Sequence, residues 1–182
     1  MKNTIQDKTK LVNSVFSEVY KKYDLMNDIM SFGIHRVWKD KFIDWMNPPQ
    51  RSSLIDVASG TGDIAKRFSI RVNNLSEITC IEPNNEMFQK GKNNLKTFDN
   101  IKWIKSQAET LPVKDNSYDF YSISYGIRNV TDINKTLREA YRVIKPGGRF
   151  MCLEFSKIDN ELFNFLYKQY SNTIPLIGKY IV

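Results

Sequence analysis

Two glycines follow a short apolar run in the stretch LIDVASGTGDIAKRF, residues 54–68. Gly60 and Gly62 allow the backbone to turn sharply and to approach a ligand with no Cβ in the way. A strand that passes through such a turn into a helix is typical of the nucleotide-binding end of a doubly wound sheet. The letters GTGDIA also fit the dinucleotide pattern GxGxxA, which is a weak signal when it stands alone. We therefore predict that Gly60 and Gly62 contact a nucleotide-like cofactor.

Acidic side chains near this turn narrow the choice of cofactor. Glu82 lies 20 residues after Gly62, the spacing at which a carboxylate can bind ribose hydroxyls. Asp56 and Asp63 lie inside the turn region, where they would repel a pyrophosphate on the helix N-terminus but would suit a ligand with an ammonium and a sulfonium. We expect S-adenosyl-L-methionine. Two compatible alternatives are that Asp63 is a helix-start carboxylate favoured by the helix dipole, and that Asp56 is a buried acceptor for loop amides.

A further polar stretch, QAETLP at residues 107–112, follows the third predicted strand. Gln107, Ala108 and Glu109 would reach the adenine edge if the cofactor lies across the strand ends. KPGG at residues 145–148 has Pro and Gly where a turn requires them, so we interpret it as structural.

Alternating patterns supply the elements that must position these residues. Two amphipathic helical patterns, at residues 11–23 and 37–46, precede the turn, and NPP ends the second. Short apolar runs then alternate with helical patterns, which predicts an α/β, Rossmann-like doubly wound and mostly parallel sheet. We expect a helical lid segment at 1–49 and a cofactor-binding domain at 50–182. The predicted strands are 53–58, 77–82, 101–106, 118–125 and 149–155, and the helices 62–70, 84–97 and 132–145.

Composition excludes several classes of protein. The 182 residues, 41% of them hydrophobic, suffice for one core. The net charge of +7 is spread along the chain, which argues against a nucleic-acid partner and fits either anionic lipid surfaces or a lysine-rich proteome. Cys80 and Cys152 lack metal-ligand or redox spacing, so we predict packing and no metal site. With a polar start and no apolar run of about 18 residues, we expect a cytoplasmic protein, with peripheral contact to the inner membrane as an option.

Several motifs together resemble the class I methyltransferases, namely LIDVASGTGD, IEPNNEMFQKGKNNL, QAETLPVKDNSYDFYSISYGIRNVTD and LREAYRVIKPGGRFMCLEFSK. With VFSEVYKKYDLMNDIMSFGIHRVWKD, the chain resembles the ubiquinone/menaquinone biosynthesis C-methyltransferase family from about Val12 to Ile177. The resemblance implies S-adenosyl-L-methionine as cofactor and a ring carbon of a polyprenylated quinol as acceptor. It implies cofactor contacts at Thr61, Glu82, Gln107, Ala108 and Ser124. The family commonly has Asp at Glu82 and Asn at Gln107, so both positions carry an extra methylene here.

Methyl transfer to such a ring needs alignment of the reactants and help in forming a phenolate. Arg128 in SYGIRNV cannot act as a base, but it can stabilise the quinolate oxygen, and Asn129 can orient the ring or a water. The alternatives are that Arg128 pairs with a carboxylate such as Asp132 and that Asn129 caps the next helix. His35, the single histidine, either accepts the phenol proton or hydrogen-bonds a backbone carbonyl and fixes the turn at Gly33.

The apolar residues of the first two helical patterns suit a lid over an isoprenoid tail, or they pack on the domain; they are Tyr23, Met26, Met30, Phe32 and Trp38. The family continues beyond NELFNFLYKQYSNTIPLIG into further strands, so we expect a C-terminally truncated chain with an exposed sheet edge. An RNA or other small-molecule methyltransferase and a non-catalytic cofactor-binding or assembly subunit remain as alternatives. Partners beyond the quinol would be a quinone-biosynthesis complex or a homodimer. The sequence does not separate the ubiquinone pathway from the menaquinone pathway.

Overall fold

A single five-stranded parallel sheet forms the centre of the molecule in a computed structural model that describes Asp28, Ser31 and residues 33–156. Each of its four strand pairs is parallel, in the order β3-β2-β1-β4-β5. The predicted doubly wound sheet is therefore confirmed. The predicted helix at 11–23 and the C-terminal helical segment lie outside the described residues. The strands are β1 (Leu54–Val57), β2 (Ile78–Ile81), β3 (Ile101–Ile104), β4 (Tyr118–Ser124) and β5 (Ile144–Leu153).

Four α-helices are described, α1 (Ile34–Met46), α2 (Asp63–Arg71), α3 (Asn85–Asn94) and α4 (Ile133–Val143), together with a short 3-10 helix (Ile127–Asn129). Side chains of Asn84 and Asp132 cap two of them. The Asn84 side chain accepts a hydrogen bond from the Met87 amide at the start of α3, and Asp132 accepts one from the Lys135 amide at the start of α4. Such caps satisfy amides that the first helical turn leaves without a partner.

Both faces of the sheet are covered, and each has its own core. Leu54, Cys80 and Phe120 face α1 and α2, where they belong to one cluster with Phe42, Met46 and Phe68. On the other face, Ile55, Val57 and Tyr121 cluster with Ala140 and Val143 of α4. All four residues of β1 are consequently buried, as expected of a strand in the middle of a parallel sheet.

Helix α1 is fixed to α2 by a row of ion pairs. Lys39 Nζ lies 2.8 Å from Asp63 Oδ2, and the Lys39 side chain is only 10% exposed. Arg67 also pairs with Asp40, and Arg71 with Asp44. Together with the burial of Phe42 and Met46, these pairs make α1 part of the domain core. Apart from Asp28 and Ser31, the predicted lid before Gly33 lies outside the described residues, including Tyr23, Met26, Met30 and Phe32.

The last strand begins earlier than predicted. β5 starts at Ile144 and contains KPGG, which we had predicted to be a turn before the strand. Tyr118 pairs with Ile144 and Phe120 with Arg149, so the four intervening residues form an irregularity in the pairing. A Cβ on Gly148 would lie 2.8 Å from the Asp119 carbonyl oxygen. The turn residues are thus used inside the strand, where the backbone passes too close to β4 for a side chain.

Candidate active site

The glycine loop between β1 and α2 alternates between ordinary and left-handed backbone. Ala58, Gly60 and Gly62 have φ angles of 54°, 57° and 84°. A Cβ on Gly62 would lie 2.5 Å from Leu95 Cδ1, so this glycine is required for packing as well as for the turn. A Cβ on Gly60 would meet no atom within 4 Å. Gly60 therefore lies on the open side of the loop, where a ligand can approach, and the adjacent Thr61 is buried.

Glu82 holds this loop from the end of β2. Its Oε2 atom accepts a hydrogen bond of 2.8 Å from the Gly60 amide, and its Oε1 atom accepts one of 2.9 Å from the Asn84 amide. Burial raises the pKa of the Glu82 carboxyl, and the two amides partly oppose that rise. A carboxylate oxygen has room for a second donor. Glu82 is thus fixed beside Gly60 with acceptor capacity left for a ribose hydroxyl.

Asp56 lies within β1, one residue before the strand ends, and not in the turn where we had expected it. Its Oδ1 atom accepts a 2.6 Å hydrogen bond from Ser122 Oγ of β4. Its Oδ2 atom is buried and has no hydrogen-bond partner within the described part of the chain. The alternative that Asp56 accepts from loop amides is wrong, because its described partner is a side chain of the neighbouring strand. Burial raises the pKa of Asp56 to about 7.

The raised pKa makes the stability of the protein depend on pH. Between about pH 4 and pH 7 the folded protein holds a proton on Asp56 that the unfolded chain has released. The free energy of unfolding should therefore fall as the pH rises, by up to about 1.4 kcal/mol per pH unit from this group. We expect Asp56→Asn to remove that component, measured by urea denaturation at pH 5 and pH 8. Identical pH slopes for both proteins would contradict it.

The stretch after β3 contributes residues of two kinds. Gln107 is exposed and Ala108 is buried, at the same edge of the sheet as the glycine loop. The Oε1 atom of Glu109 accepts hydrogen bonds from the amides of Thr131 (2.6 Å) and Asp132 (3.1 Å). Glu109 therefore fixes the start of α4 to this stretch, a role that we had not predicted for it.

The segment after β4 carries the predicted acceptor-binding residues. Arg128 Nε lies 3.6 Å from Glu154 Oε1, and the Arg128 guanidinium carbon lies 5.1 Å from the Phe155 ring centre. The described partner is thus Glu154, not Asp132, which caps α4. Asn129 donates from its side chain to the Tyr125 carbonyl oxygen at 3.4 Å, so it is not the helix cap considered above. The nearby Ser124 Oγ is buried, with no hydrogen-bond partner in the described ranges.

Two aromatic side chains pack against Phe155, and of these three aromatic residues only Trp38 was predicted to lie near the acceptor. Tyr125 stacks on Phe155 with ring centres 4.8 Å apart, and Trp38 of α1 meets the Phe155 ring edge-on at 5.8 Å. We refer to Trp38, Tyr125 and Phe155 as the aromatic cluster. The signal that could have found Phe155 is its position two residues after β5, because parallel strands end at the same edge of a sheet.

His35 lies in the first turn of α1 and is 5% exposed. Its Nε2 atom is 2.9 Å from Asp28 Oδ1, so its partner is a carboxylate and not the backbone carbonyl that we had considered. Burial lowers the pKa of His35, helped by Lys39, and the opposing effect of Asp28 is smaller. A cavity of about 300 Å³ borders His35 together with Thr61, Gly62 and Asp63. His35 is thus placed beside the glycine loop.

The ends of β1 and β4 bring the residues of the glycine loop close to the predicted acceptor-binding residues. These strands are neighbours although the chain visits β2 and β3 between them, and such a switch point is where doubly wound sheets bind ligands. A Cβ on Gly126 would lie 2.6 Å from Ala58 Cβ, so the loops that follow the two strands touch. Among residues 33–156 with Asp28 and Ser31, no cluster of three metal-ligating side chains occurs and no helix could cross a membrane.

Comparison with known proteins agrees with this geometry. The model of the ubiE/COQ5 methyltransferase family matches residues 2–182. A protein named ubiquinone/menaquinone biosynthesis C-methyltransferase UbiE from Rickettsia bellii (strain OSU 85-389) is 54% identical over 183 residues. The match covers 96% of this chain and 73% of that relative. The protein of the same name from Rickettsia prowazekii (strain Madrid E) is 52% identical and covers 94% of this chain and 71% of the relative.

Solved structures show the same fold at lower identity. A SAM-dependent methyltransferase from Aquifex aeolicus superposes with a TM-score of 0.67 at 20% identity, over 79% of this chain and 75% of that one. A putative S-adenosyl-L-methionine-dependent methyltransferase from Methanococcus maripaludis gives 0.63 at 18% identity, over 90% and 73% of the two chains. The fold of these enzymes and the near-complete family match lead to one conclusion. This chain belongs to the ubiE/COQ5 methyltransferase family.

Proposed function

We propose that the chain is an S-adenosyl-L-methionine-dependent C-methyltransferase that acts on the ring of a polyprenylated quinol in ubiquinone or menaquinone biosynthesis. The observation that carries the proposal is the contact between the two loops at the switch point, Gly126 against Ala58. On one side of it Glu82 holds the glycine loop. On the other side Arg128 lies over an aromatic ring. A nucleoside and a ring with an ionisable hydroxyl group match these two surfaces, and the names of the Rickettsia relatives agree.

Residues around the glycine loop hold the cofactor in this proposal. When bound, S-adenosyl-L-methionine supplies a methyl group on a positively charged sulfur. Glu82 accepts hydrogen bonds from the ribose hydroxyls while it keeps the Gly60 amide in place. Gln107 and Ala108 border the adenine, and Gly62 keeps the turn closed. The other proposed cofactor contacts are Thr61, Ser124 and Asp56, the last of which lies in β1.

Residues after β4 and β5 hold the acceptor. The guanidinium of Arg128 stabilises the quinolate oxygen, which makes the neighbouring ring carbon more nucleophilic. Asn129 orients the ring or a water, and the aromatic cluster supplies the flat apolar surface against which the ring packs. Because alignment of the reactants supplies much of the rate in such displacements, the fixed position of α1 against Phe155 is part of the catalytic device.

Helix α1 offers an exposed apolar surface for the isoprenoid tail and for a membrane surface. Ile34, Val37 and Trp45 are exposed on this helix, Trp45 to 80%. Exposed tryptophan side chains favour the boundary between headgroups and hydrocarbon. Peripheral contact with the inner membrane is therefore included in the proposal. A homodimer and a quinone-biosynthesis complex are further proposals, and light scattering of the purified chain with and without detergent would test the first.

Two measurements test the function. Calorimetric titration should show binding of S-adenosyl-L-methionine and no comparable binding of NAD. Incubation with a short-chain demethylated quinol should then add one methyl group to the ring, seen by mass spectrometry. Tight binding of NAD alone would overturn the cofactor assignment. Cofactor binding without methyl transfer to any quinol would favour the non-catalytic subunit, and transfer to RNA would favour the RNA-modifying alternative.

The prediction that His35 accepts the phenol proton stays a prediction, and a variant can decide it. Since Nε2 is already engaged with Asp28 and His35 lines the same cavity as Thr61, we expect His35→Gln to keep the pH–rate profile. Turnover should fall less than about tenfold, below the effect of losing a general base. Disappearance of the acidic limb from the profile of kcat against pH would instead assign the proton transfer to His35.

A further inference from the structure

Glu154 directly follows β5 and lies in contact with the predicted acceptor residues. Its Oε1 atom accepts a 3.0 Å hydrogen bond from the Phe155 amide and lies 3.6 Å from Arg128 Nε. Its side chain is 19% exposed. Its Oε2 atom is buried and has no hydrogen-bond partner among the residues that the structure describes. The Oε1 atom is thus held in place, whereas the Oε2 atom can still accept a hydrogen bond.

The ion pair with Arg128 does not account for the second oxygen. The Arg128 side chain is half-exposed, and at 3.6 Å its contact with Oε1 is longer than a strong charge-assisted hydrogen bond. A buried carboxylate oxygen without a donor costs folding free energy. Such orphaned acceptors are uncommon in native structures and call for an explanation, and a bound hydroxyl group would supply the missing donor.

The surroundings of Glu154 select the kind of hydroxyl group. Phe155 is the next residue, with Tyr125 stacked on it and Trp38 against its edge. Arg128 lies over the same ring. A carboxylate, a guanidinium and an aromatic surface around one place fit a phenol, which is flat and apolar, donates one hydrogen bond and becomes an anion when it loses its proton.

We propose that Glu154 is the general base that takes the phenol proton of the quinol, an inference that rests on the proposed function. The proton moves from the phenol oxygen to the Glu154 carboxylate, and the phenolate is stabilised by Arg128. The ring carbon then forms a bond to the methyl carbon while the carbon–sulfur bond breaks, and its electron pair stays on sulfur. The ring carbon releases its own proton to water, and Glu154 returns its proton to the ring oxygen as aromaticity is restored.

This assignment gives the two charged residues separate tasks. A guanidinium keeps its protons at any ordinary pH, so Arg128 stabilises the anion without forming it. A carboxylate can accept a proton and give it back, so the transfer falls to Glu154. Because both groups lie at the Phe155 ring, the negative charge moves from one oxygen to another within reach of the same guanidinium.

The pH dependence of methyl transfer tests the proposal. We expect Glu154→Gln to bind S-adenosyl-L-methionine like the unchanged chain and to methylate a short-chain quinol about 10²–10⁴-fold more slowly at pH 7. The deficit should shrink as the pH approaches about 10, where a phenol ionises in water without help. A residue that only supports the fold would not produce this recovery.

Further variants separate a chemical role from a structural one. Glu77→Gln makes the same change at an exposed position and should keep the normal rate at every pH. If Glu154→Gln does not fold, Glu154→Asp takes its place, because it keeps a carboxylate base. The acidic limb of its pH–rate profile should lie at a different pH from that of the unchanged chain. A rate deficit of Glu154→Gln that stays constant with pH would overturn the role of Glu154 but not the proposed function. The same holds if the acidic limb of the Glu154→Asp profile lies at the same pH as in the unchanged chain. An unchanged chain that methylates no quinol would overturn the proposed function, and the role of Glu154 with it.

Discussion

Replacing Glu82 by alanine is expected to weaken binding of S-adenosyl-L-methionine by about 100-fold or more. The change removes the carboxylate proposed to bind the ribose, and hydrogen bonds to charged groups contribute about 1.5–3 kcal/mol each. It also removes the acceptor of the Gly60 amide, which is one of the contacts that hold the loop to the end of β2. Calorimetric titration gives the affinity, and thermal unfolding shows how much of the loss comes from the fold.

Glu82→Asp is the matched control, because it keeps the charge and has the residue common in the family. We expect this variant to retain cofactor affinity to within about tenfold, since only one methylene is lost. A Glu82→Ala protein that binds the cofactor as tightly as the unchanged chain would show that the ribose lies elsewhere. Equal weakening in both variants would show that the length of the side chain matters more than its charge.

Replacing Arg128 by alanine is expected to lower kcat by about 10²–10³-fold, the usual effect of removing one group that stabilises a developing anion. Cofactor affinity should change little, because Arg128 lies against Glu154 and Phe155, which both follow β5. Single-turnover measurements of methyl transfer, beside calorimetry of the cofactor, separate the two quantities.

Arg128→Lys provides the comparison that distinguishes charge from shape. A lysine keeps the positive charge but lacks the planar guanidinium that lies over Phe155, so partial recovery of kcat would assign most of the effect to charge. Equal losses of kcat and cofactor affinity in Arg128→Ala would instead mean that the residue supports the fold around the 3-10 helix.

The strands in the middle of the sheet were predicted well, because burial on both faces of a parallel strand requires a clear apolar run in the sequence. The runs around Leu54, Ile78 and Tyr118 became β1, β2 and β4 within a residue or two of their predicted bounds. The family was also predicted correctly, because motifs such as SYGIRNVTD combine several residue types in a fixed order. The start of β5 was wrong, because Pro146 and Gly147 have the same local signal in a turn as in a strand irregularity.

Side-chain contacts between neighbouring strands could not be predicted from the sequence. Nothing in the chain near Asp56 indicates that its partner is Ser122, 66 positions away, because that contact depends on which strands are neighbours. Arg128 likewise has an acidic residue close by in sequence, Asp132, but pairs with Glu154, which follows β5. Residue types and loop positions can therefore be predicted from one sequence, whereas partners must be read from the fold.

In the proposed site, the ion pairs between α1 and α2 let one helix set the distance between the two reactants. Near its start α1 borders the cavity beside Thr61, and at Trp38 it meets Phe155. Lys39, between these points, is bound to Asp63 at the start of α2. A tilt of α1 would therefore change the angle at which an acceptor ring meets the methyl group while leaving both binding surfaces intact. Substitutions in this helix would then change the geometry of the proposed methyl transfer as well as the binding affinities.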